Sequence, residues 1–151
     1  MKAISLHQPF ASAIFAGLKT YETRGWKCPP SIGGTTILIH AAKFDPMKYD
    51  LPDWQWAELT QAMRGKPMPL GALLGIAVVA GCLPTDPIWN QWNTMSTPQF
   101  RSTWGTEFRW GNYEPGRFMW KLTDVLAFDN PIPYKGQQGF FEVPTEAVVN
   151  R

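Results

Sequence analysis

The sequence predicts an α+β domain with a mostly antiparallel, barrel-like sheet, two helices and a helical insertion rich in tryptophan. About six short runs of strand-forming residues are spread along the chain, whereas helical patterns are confined to its early and middle parts. Glycines interrupt the apolar run over residues 71–81, and the bends they permit allow a small barrel to close. The chain lacks the regular strand–helix alternation and the glycine-rich phosphate loop of nucleotide-binding α/β proteins.

The first part of the chain predicts strand, helix and strand. A short strand over residues 4–6 ends near Pro9, which suits the first turn of a helix because it has no N–H. Apolar residues then recur at helical spacing over residues 9–16, and Gly17 can adopt the left-handed conformation that ends a helix. Residues 20–26 follow as a strand, because they include strand-forming side chains and the helical period is lost.

The strand over residues 20–26 concentrates polar and charged side chains. Alternation places four of them on one face: Thr20, Glu22, Arg24 and Trp26. Tyr21 and Thr23 lie on the other face, and Lys19 lies at the preceding turn. Residues two apart along a strand are roughly 6–7 Å apart, so Glu22 and Arg24 are predicted to be neighbours. A functional site is therefore expected at this strand.

Two buried strands and a helix are predicted for the middle of the chain. Residues 35–42 form a nearly continuous β-branched and apolar run with His40 at its end, which indicates a central strand. Asp53 is a candidate N-cap for a helix that Gly65 closes. Residues 71–81 form the second buried strand.

The predicted insertion covers about residues 84–115. Asp86 and Thr97 each precede a proline, as an N-cap precedes the first residue of a helix, so residues 88–93 and 99–104 are predicted to be short helices. The insertion contains four tryptophans: Trp89, Trp92, Trp104 and Trp110. These side chains are either core or, where exposed, a surface for stacking bases or binding a protein partner.

The last part of the chain predicts strands separated by a loop. Residues 116–122 alternate polar and apolar side chains, and residues 125–128 continue or follow this strand. A turn-rich loop is predicted for residues 131–139, and residues 140–143 form the last strand.

Composition places further limits on the protein. Its 151 residues fit one domain, residues 1–151, and a formal charge of +2 is too small to predict wrapping of duplex DNA. Cys28 and Cys82 lack metal-ligand spacing and are expected to be reduced thiols, and only two histidines are present, so neither a metal nor another cofactor is predicted. No apolar run approaches the roughly 18 residues of a membrane span, so a cytoplasmic protein with no membrane partner is expected.

Several motifs resemble those of the ASCH domain family, whose fold is similar to that of the RNA-binding PUA domain. The family signature G-x-K-x-x-E-x-R is present at Gly17, Lys19, Glu22 and Arg24. Further matching stretches lie outside the insertion, at residues 5–11, 39–43, 71–75 and 131–136. The resemblance implies a single ASCH domain: a small PUA-like β-barrel with helices at its mouth and a cleft lined by the signature strand. It also implies RNA or a nucleoside-like ligand and a role in RNA metabolism or its regulation.

Some members of the family that this chain resembles are enzymes. A small bacterial member hydrolyses the acetyl amide of N4-acetylcytidine with a lysine, a threonine and a glutamate, and another member is described as a ribonuclease. The lysine carries over to Lys19, whereas the position of the threonine is occupied by Glu22. Thr20 and Thr23 are nearby hydroxyls, and no residue here matches the family glutamate. Amide hydrolysis and RNA cleavage therefore remain alternatives to binding, with these four residues as the candidate catalytic groups.

The candidate residues of the first strands have both functional and structural interpretations. Lys19 is either a catalytic base or a solvated lysine at a turn. Glu22 and Arg24 either read a base edge, since arginine offers paired donors and a carboxylate accepts from an amine, or form a structural ion pair. Gln8 either binds a ligand or caps the first helix, and Trp26, which shares the face of the charged pair, is a further candidate ligand-binding residue.

The candidate site residues in the later part of the chain also have both a functional and a structural interpretation. His40 is either a ligand-binding histidine or a hydrogen-bonded core residue. Tyr134 and Lys135 combine a stacking ring with a charge for phosphate, or else belong to an ordinary solvated loop. Further candidate phosphate ligands are Lys43, Arg101, Arg109 and Arg117.

Overall fold

The structure is a computed structural model that describes residues 1–94 and 97–149. Its strands are β1 (Lys2–Leu6), β2 (Tyr21–Arg24), β3 (Thr36–Ala41), β4 (Ala72–Pro84), β5 (Phe118–Pro133) and β6 (Phe140–Glu142). Its helices are α1 (Phe10–Phe15), α2 (Asp53–Ala62), α3 (Asp86–Thr94), α4 (Pro98–Trp110) and α5 (Glu146–Val149), with a 3₁₀ turn at Pro46–Lys48. No helix in this part of the chain has the length and hydropathy needed to cross a membrane.

The strands form one curled sheet in the order β2-β5-β4-β3-β1-β6. β1 and β3 are parallel, and every other neighbouring pair is antiparallel. The sheet is a half-barrel with β2 and β6 at its edges, and helices pack against it. The predicted α+β class and the mostly antiparallel, curled sheet are therefore confirmed.

Strand β3 is buried on both faces of the sheet, which explains its continuous apolar run. Ile37 and Ile39 pack in one cluster with Ile14 of α1, whereas Leu38 packs in a second cluster on the other face. That second cluster includes Phe141 of β6. Because successive side chains of a strand point to opposite faces, a strand covered on both sides has no polar period.

Residues 131–139 are not a single loop, because β5 continues to Pro133 and pairs there with the start of β4. The proline is tolerated because β2 pairs only with the first part of β5, so the later part has a free edge. The remaining loop, residues 134–139, leads directly into β6.

Several predicted boundaries also differ from the structure. The signature strand is shorter than residues 20–26 and ends at Arg24, which leaves Trp26 beyond it. Thr97 caps α4 as predicted, but α4 continues to Trp110. α2 begins at Asp53 itself, so Asp53 is its first residue and not its N-cap. The predicted insertion includes residues 95 and 96, and the predicted domain includes residues 150 and 151, all of which lie outside the described residues.

Candidate functional site

The three charged side chains of the signature meet beside β2. Gly17, at a φ of +76°, turns the chain after α1, and Lys19 follows with only 2% of its surface exposed. Lys19 Nζ lies 3.3 Å from Glu22 Oε2 and donates to the Tyr21 carbonyl at 2.7 Å. Arg24 Nε lies 2.8 Å from Glu22 Oε1. The carboxylate of Glu22 is therefore held between two cations, one at each oxygen.

This triad lines a cavity of about 460 Å³, here called the signature cleft. Its charged lining residues are Lys19, Glu22, Arg24, Arg109 and Arg117. Its aromatic lining residues are His7, Phe10, Tyr49 and Trp110. This volume lies within the range of about 300–1,000 Å³ that is typical of small-molecule sites.

The aromatic wall of the signature cleft is internally fixed. The His7 ring stacks on Phe44 with centroids 4.2 Å apart, and its Nδ1 shares a hydrogen bond of 2.7 Å with the Tyr49 hydroxyl. Phe10 packs edge-on against the same tyrosine. Burial and the nearby charge of Arg24 lower the pKa of His7, so the ring is neutral at pH 7. A neutral, packed ring is a suitable surface for stacking a planar ligand.

Glu107, a buried carboxylate of α4, anchors the start of β2 and Thr20, the residue before it. Its Oε1 accepts from the Thr20 amide at 2.8 Å and from the Thr20 hydroxyl. Its Oε2 accepts from the Tyr21 amide at 3.4 Å and from the Tyr113 hydroxyl at 3.1 Å. Burial and this carboxylate raise the pKa of Tyr113, so the phenol stays a donor. Glu107 therefore holds the strand that presents the signature triad.

The two threonines beside the triad have different surroundings. The Thr20 hydroxyl donates to Glu107, and Thr20 does not line the signature cleft. Thr23 does line it, and its Oγ1 accepts from the Asn112 amide at 3.0 Å. Strand alternation assigned Thr23 to the face opposite Glu22, but both reach the cleft because it extends around the edge strand to residues 109–112.

A second cavity of about 1,120 Å³ adjoins the signature cleft and shares three lining residues with it: Ser5, His7 and Arg24. This second cavity is also lined by Lys43 and by the loop of residues 134–139, which includes Tyr134 and Lys135. The Tyr134 ring stacks toward Phe141 with centroids 6.3 Å apart, so part of it faces the core. Lys135 is exposed at the rim.

His40 lines the second cavity but is held by the fold at both ring nitrogens. Its Nε2 lies 3.0 Å from the Tyr134 carbonyl, which can only accept, so Nε2 carries the proton. Its Nδ1 lies 3.0 Å from Ser5 Oγ and accepts from that hydroxyl in the neutral ring. Burial lowers the pKa of His40, and the hydrogen bond to Tyr134 opposes this effect. The side chain therefore links β1, β3 and the loop of residues 134–139 as a neutral imidazole.

The lowered pKa of His40 predicts a loss of stability in mild acid. Below its ordinary pKa of 6.5 the unfolded chain binds a proton that the folded chain excludes, so the free energy of unfolding falls as the pH drops. One such group contributes at most about 1.4 kcal/mol per pH unit. Urea titrations from pH 7.5 to 5 should show a shallower dependence for His40→Asn than for the wild type. His7→Asn measures the separate contribution of the other histidine, whose pKa is also lowered, and equal slopes for His40→Asn and the wild type would contradict the role of His40.

Gln8 and Trp26, two predicted ligand-binding residues, line neither cavity. The buried Gln8 amide donates to the Pro69 carbonyl at 3.0 Å and accepts from the Ser12 amide at 3.0 Å, so it organises the start of α1. The Trp26 ring packs edge-on against Trp120, with centroids 4.8 Å apart, and Phe140. Gln8 is therefore fully buried, whereas Trp26 packs one edge of the fold and stays 38% exposed outside both cavities.

The insertion supplies several residues to the signature cleft, and only one of them is a tryptophan. Arg109 and Trp110, at the end of α4, and Asn112 all line the cleft, although only Arg109 was singled out as a phosphate candidate. The other tryptophans are partly buried among aromatic rings, with Trp92 stacked on Phe108 at 4.3 Å. The sequence contains no signal for the contact of α4 with β2, because Glu107 is an isolated acid in a predicted loop.

Comparisons with known proteins identify the family of this chain. The ASCH domain model matches residues 4–132, whereas no curated protein matches the chain. The crystal structure of ASCH from Zymomonas mobilis is 18% identical, with a TM-score of 0.54 over 97% of this chain and 89% of that one. Two mutants of that protein are also 18% identical, with TM-scores of 0.55 over 99% of this chain and 92% or 94% of theirs. The chain therefore belongs to the ASCH domain family, a group of PUA-like proteins that are generally RNA-binding.

Proposed function

We propose that the signature cleft binds a base of RNA or a modified nucleoside, in a cytoplasmic role in RNA metabolism or its regulation. The observation that carries this proposal is the Glu22 carboxylate, clamped between Lys19 and Arg24 inside an open cleft. A carboxylate accepts hydrogen bonds from an exocyclic amine, and a guanidinium donates to a ring nitrogen or carbonyl. Side by side, Glu22 and Arg24 offer the acceptor and donor that a base edge requires.

The aromatic wall supports the same ligand. His7 and Tyr49 present ring surfaces on a cleft whose floor carries the charged pair. Base stacking on aromatic side chains contributes about 1–3 kcal/mol per base, and it supports binding of single-stranded or flipped bases better than of a closed duplex. Edge contacts to Glu22 and face contacts to the wall would together orient one base.

The charge of the signature cleft favours a ligand with phosphates. Four cations line it, Lys19, Arg24, Arg109 and Arg117, against one carboxylate among the described residues. Arg109 is partly offset by Glu58, 2.8 Å away outside the cleft lining. Arg117 instead donates to the carbonyls of Asn112 and Thr23, so no carboxylate in the described chain neutralises it. An RNA strand would therefore be attracted by a net positive cleft.

Binding to a panel of short single-stranded RNAs at fixed low salt tests the proposal. Arg24→Ala should weaken binding about tenfold or more, because it removes a charged donor in the cleft. Lys19→Ala should also weaken it, and thermal unfolding of both variants separates lost contacts from lost folding. Arg101→Ala is the matched control, because Arg101 lies over the Trp92 ring and lines neither cavity. Unchanged affinity in both cleft variants would show that the signature cleft does not bind RNA.

Amide hydrolysis of an N-acylated base is a second candidate, because Lys19 and Thr23 line the same cleft. Thr23 Oγ1 accepts from the Asn112 amide, which leaves its own proton free to be removed. Incubation with N4-acetylcytidine should then cause loss of the acetylcytosine absorbance, with much slower loss in Thr23→Val and Lys19→Met. Absence of any Lys19-dependent turnover would exclude this reaction, and gels of the same RNA panel test strand cleavage in parallel.

A further inference from the structure

The second cavity is a positively charged site on its own. Its cationic lining residues are Arg24, Lys43 and Lys135, and no carboxylate lines it within residues 1–94 and 97–149. Lys43 and Lys135 also form no ion pair in the described part of the chain. The whole protein has nearly equal numbers of basic and acidic residues, 14 Lys and Arg against 12 Asp and Glu. A cavity lined by basic and no acidic side chains among the described residues is therefore more positive than the protein as a whole. Such a site attracts anions.

The exposed Lys43 side chain lies with its stem against the backbone of Gly71. Its stem lies across Gly71, where an added Cβ would lie 2.5 Å from Lys43 Cε and 2.8 Å from Cγ. Gly71 also has a φ of +62°, which side chains rarely adopt. A glycine at this position therefore lets the lysine stem lie flat along the cavity wall.

The loop of residues 134–139, which carries Lys135, is docked by buried groups. The Tyr134 amide donates to the Gly71 carbonyl at 2.9 Å, and the Tyr134 carbonyl accepts from His40. A Cβ on Gly136 would lie 2.6 Å from His40 Nδ1 and 2.7 Å from Ser5 Oγ, so the loop backbone packs directly on this hydrogen-bonded pair. Lys135 is thus flanked by two anchored residues, although its own side chain is exposed.

We infer that the second cavity binds a phosphate group of the same ligand whose base occupies the signature cleft. Arg24 lines both cavities, so the two subsites are contiguous and a nucleotide can span them. Lys43 and Lys135 neutralise the phosphate, and Arg24 lies between phosphate and base. This inference rests on the proposed function and deepens it: the preferred ligand is a nucleotide, either free or within an RNA strand, and not an unphosphorylated nucleoside.

Affinities of the wild type for the four nucleosides, their 5′- and 3′-monophosphates and a mixed-sequence RNA oligonucleotide test this inference. At low salt a phosphate should increase affinity about tenfold or more, since charge-assisted contacts are the strong ones. The double variant Lys43→Met/Lys135→Met should lose most of this increment while its nucleoside affinity is unchanged. Methionine keeps an apolar stem over Gly71, and Lys27→Met is the control because Lys27 is exposed and lines neither cavity.

Each result of this experiment is decisive. Nucleoside binding with no gain from phosphate in the wild type would overturn the inference and leave the proposed function standing. A gain in affinity that persists in the double variant would show that the phosphate binds outside the second cavity, which would also overturn the inference. Failure of every nucleoside, nucleotide and oligonucleotide to bind would overturn the proposed function itself. A variant-sensitive gain with monophosphates supports a terminal or free phosphate, whereas one seen only with the oligonucleotide supports an internal phosphodiester.

Discussion

Glu22→Gln is expected to lower the free energy of unfolding by about 3–5 kcal/mol, the usual cost of breaking a buried ion pair. The substitution keeps the shape of the side chain but leaves Lys19 and Arg24 facing a neutral amide. Lys19 is almost fully buried, so water cannot replace the lost carboxylate. The same change should weaken RNA binding, because an amide cannot accept at both of its ends.

Urea unfolding followed by tryptophan fluorescence measures this loss. Glu142→Gln is the matched control, because Glu142 also pairs with a lysine, Lys2, but on the surface, where it should change stability far less. The double variant Lys19→Met/Glu22→Gln should recover part of the loss, since it removes the unpaired buried cation. A loss in Glu22→Gln no larger than that of the control would contradict the buried clamp.

Glu107→Ala is expected to destabilise the protein by about 2–3 kcal/mol, because it removes the acceptor of the buried Tyr113 hydroxyl and of three part-buried donors. The affected donors are the amides of Thr20 and Tyr21 and the hydroxyls of Thr20 and Tyr113. Glu107→Gln should destabilise less than the alanine, since one oxygen can still accept. Loosening of β2 in Glu107→Ala should also weaken RNA binding, although Glu107 does not line the cleft.

Hydrogen exchange locates this effect on the chain. The Thr20 and Tyr21 amides should exchange faster in Glu107→Ala than in the wild type by a larger factor than the amides of β3. Glu114→Ala is the control, because Glu114 is an exposed acid beyond α4. Equal protection of both amides in Glu107→Ala and the wild type would show that the carboxylate does not anchor β2.

Local sequence rules could predict that the three triad residues are neighbours, because their geometry is set within the short segment 17–24. Alternation makes Glu22 and Arg24 neighbours, and the turn at Gly17 brings Lys19 beside them. Contacts made by distant segments carry no such local pattern. Glu107 meets Thr20 only because α4 folds back onto β2, 87 residues away in the chain.

The contrast between local patterns and long-range contacts also explains where the predicted elements differ from the structure. Apolar runs identified β3 and β4, whereas Pro131 and Pro133 suggested a loop where β5 continues. The free edge of β5 that tolerates these prolines depends on how far β2 extends, which no local pattern specifies. Likewise, Gln8 has the polarity of a ligand-binding residue, but tertiary packing buries it against Pro69.

NMR titration of the ¹⁵N-labelled protein with a short single-stranded RNA tests the central claim most directly. If a base binds beside Glu22 and Arg24, the largest amide shifts should fall in residue 19 and residues 22–24, 109–112 and 134–139, which line the two cavities. Smaller changes should occur in α3, whose tryptophans pack away from both cavities. Shifts confined to α3, or none at saturating RNA, would contradict nucleobase recognition by the signature cleft.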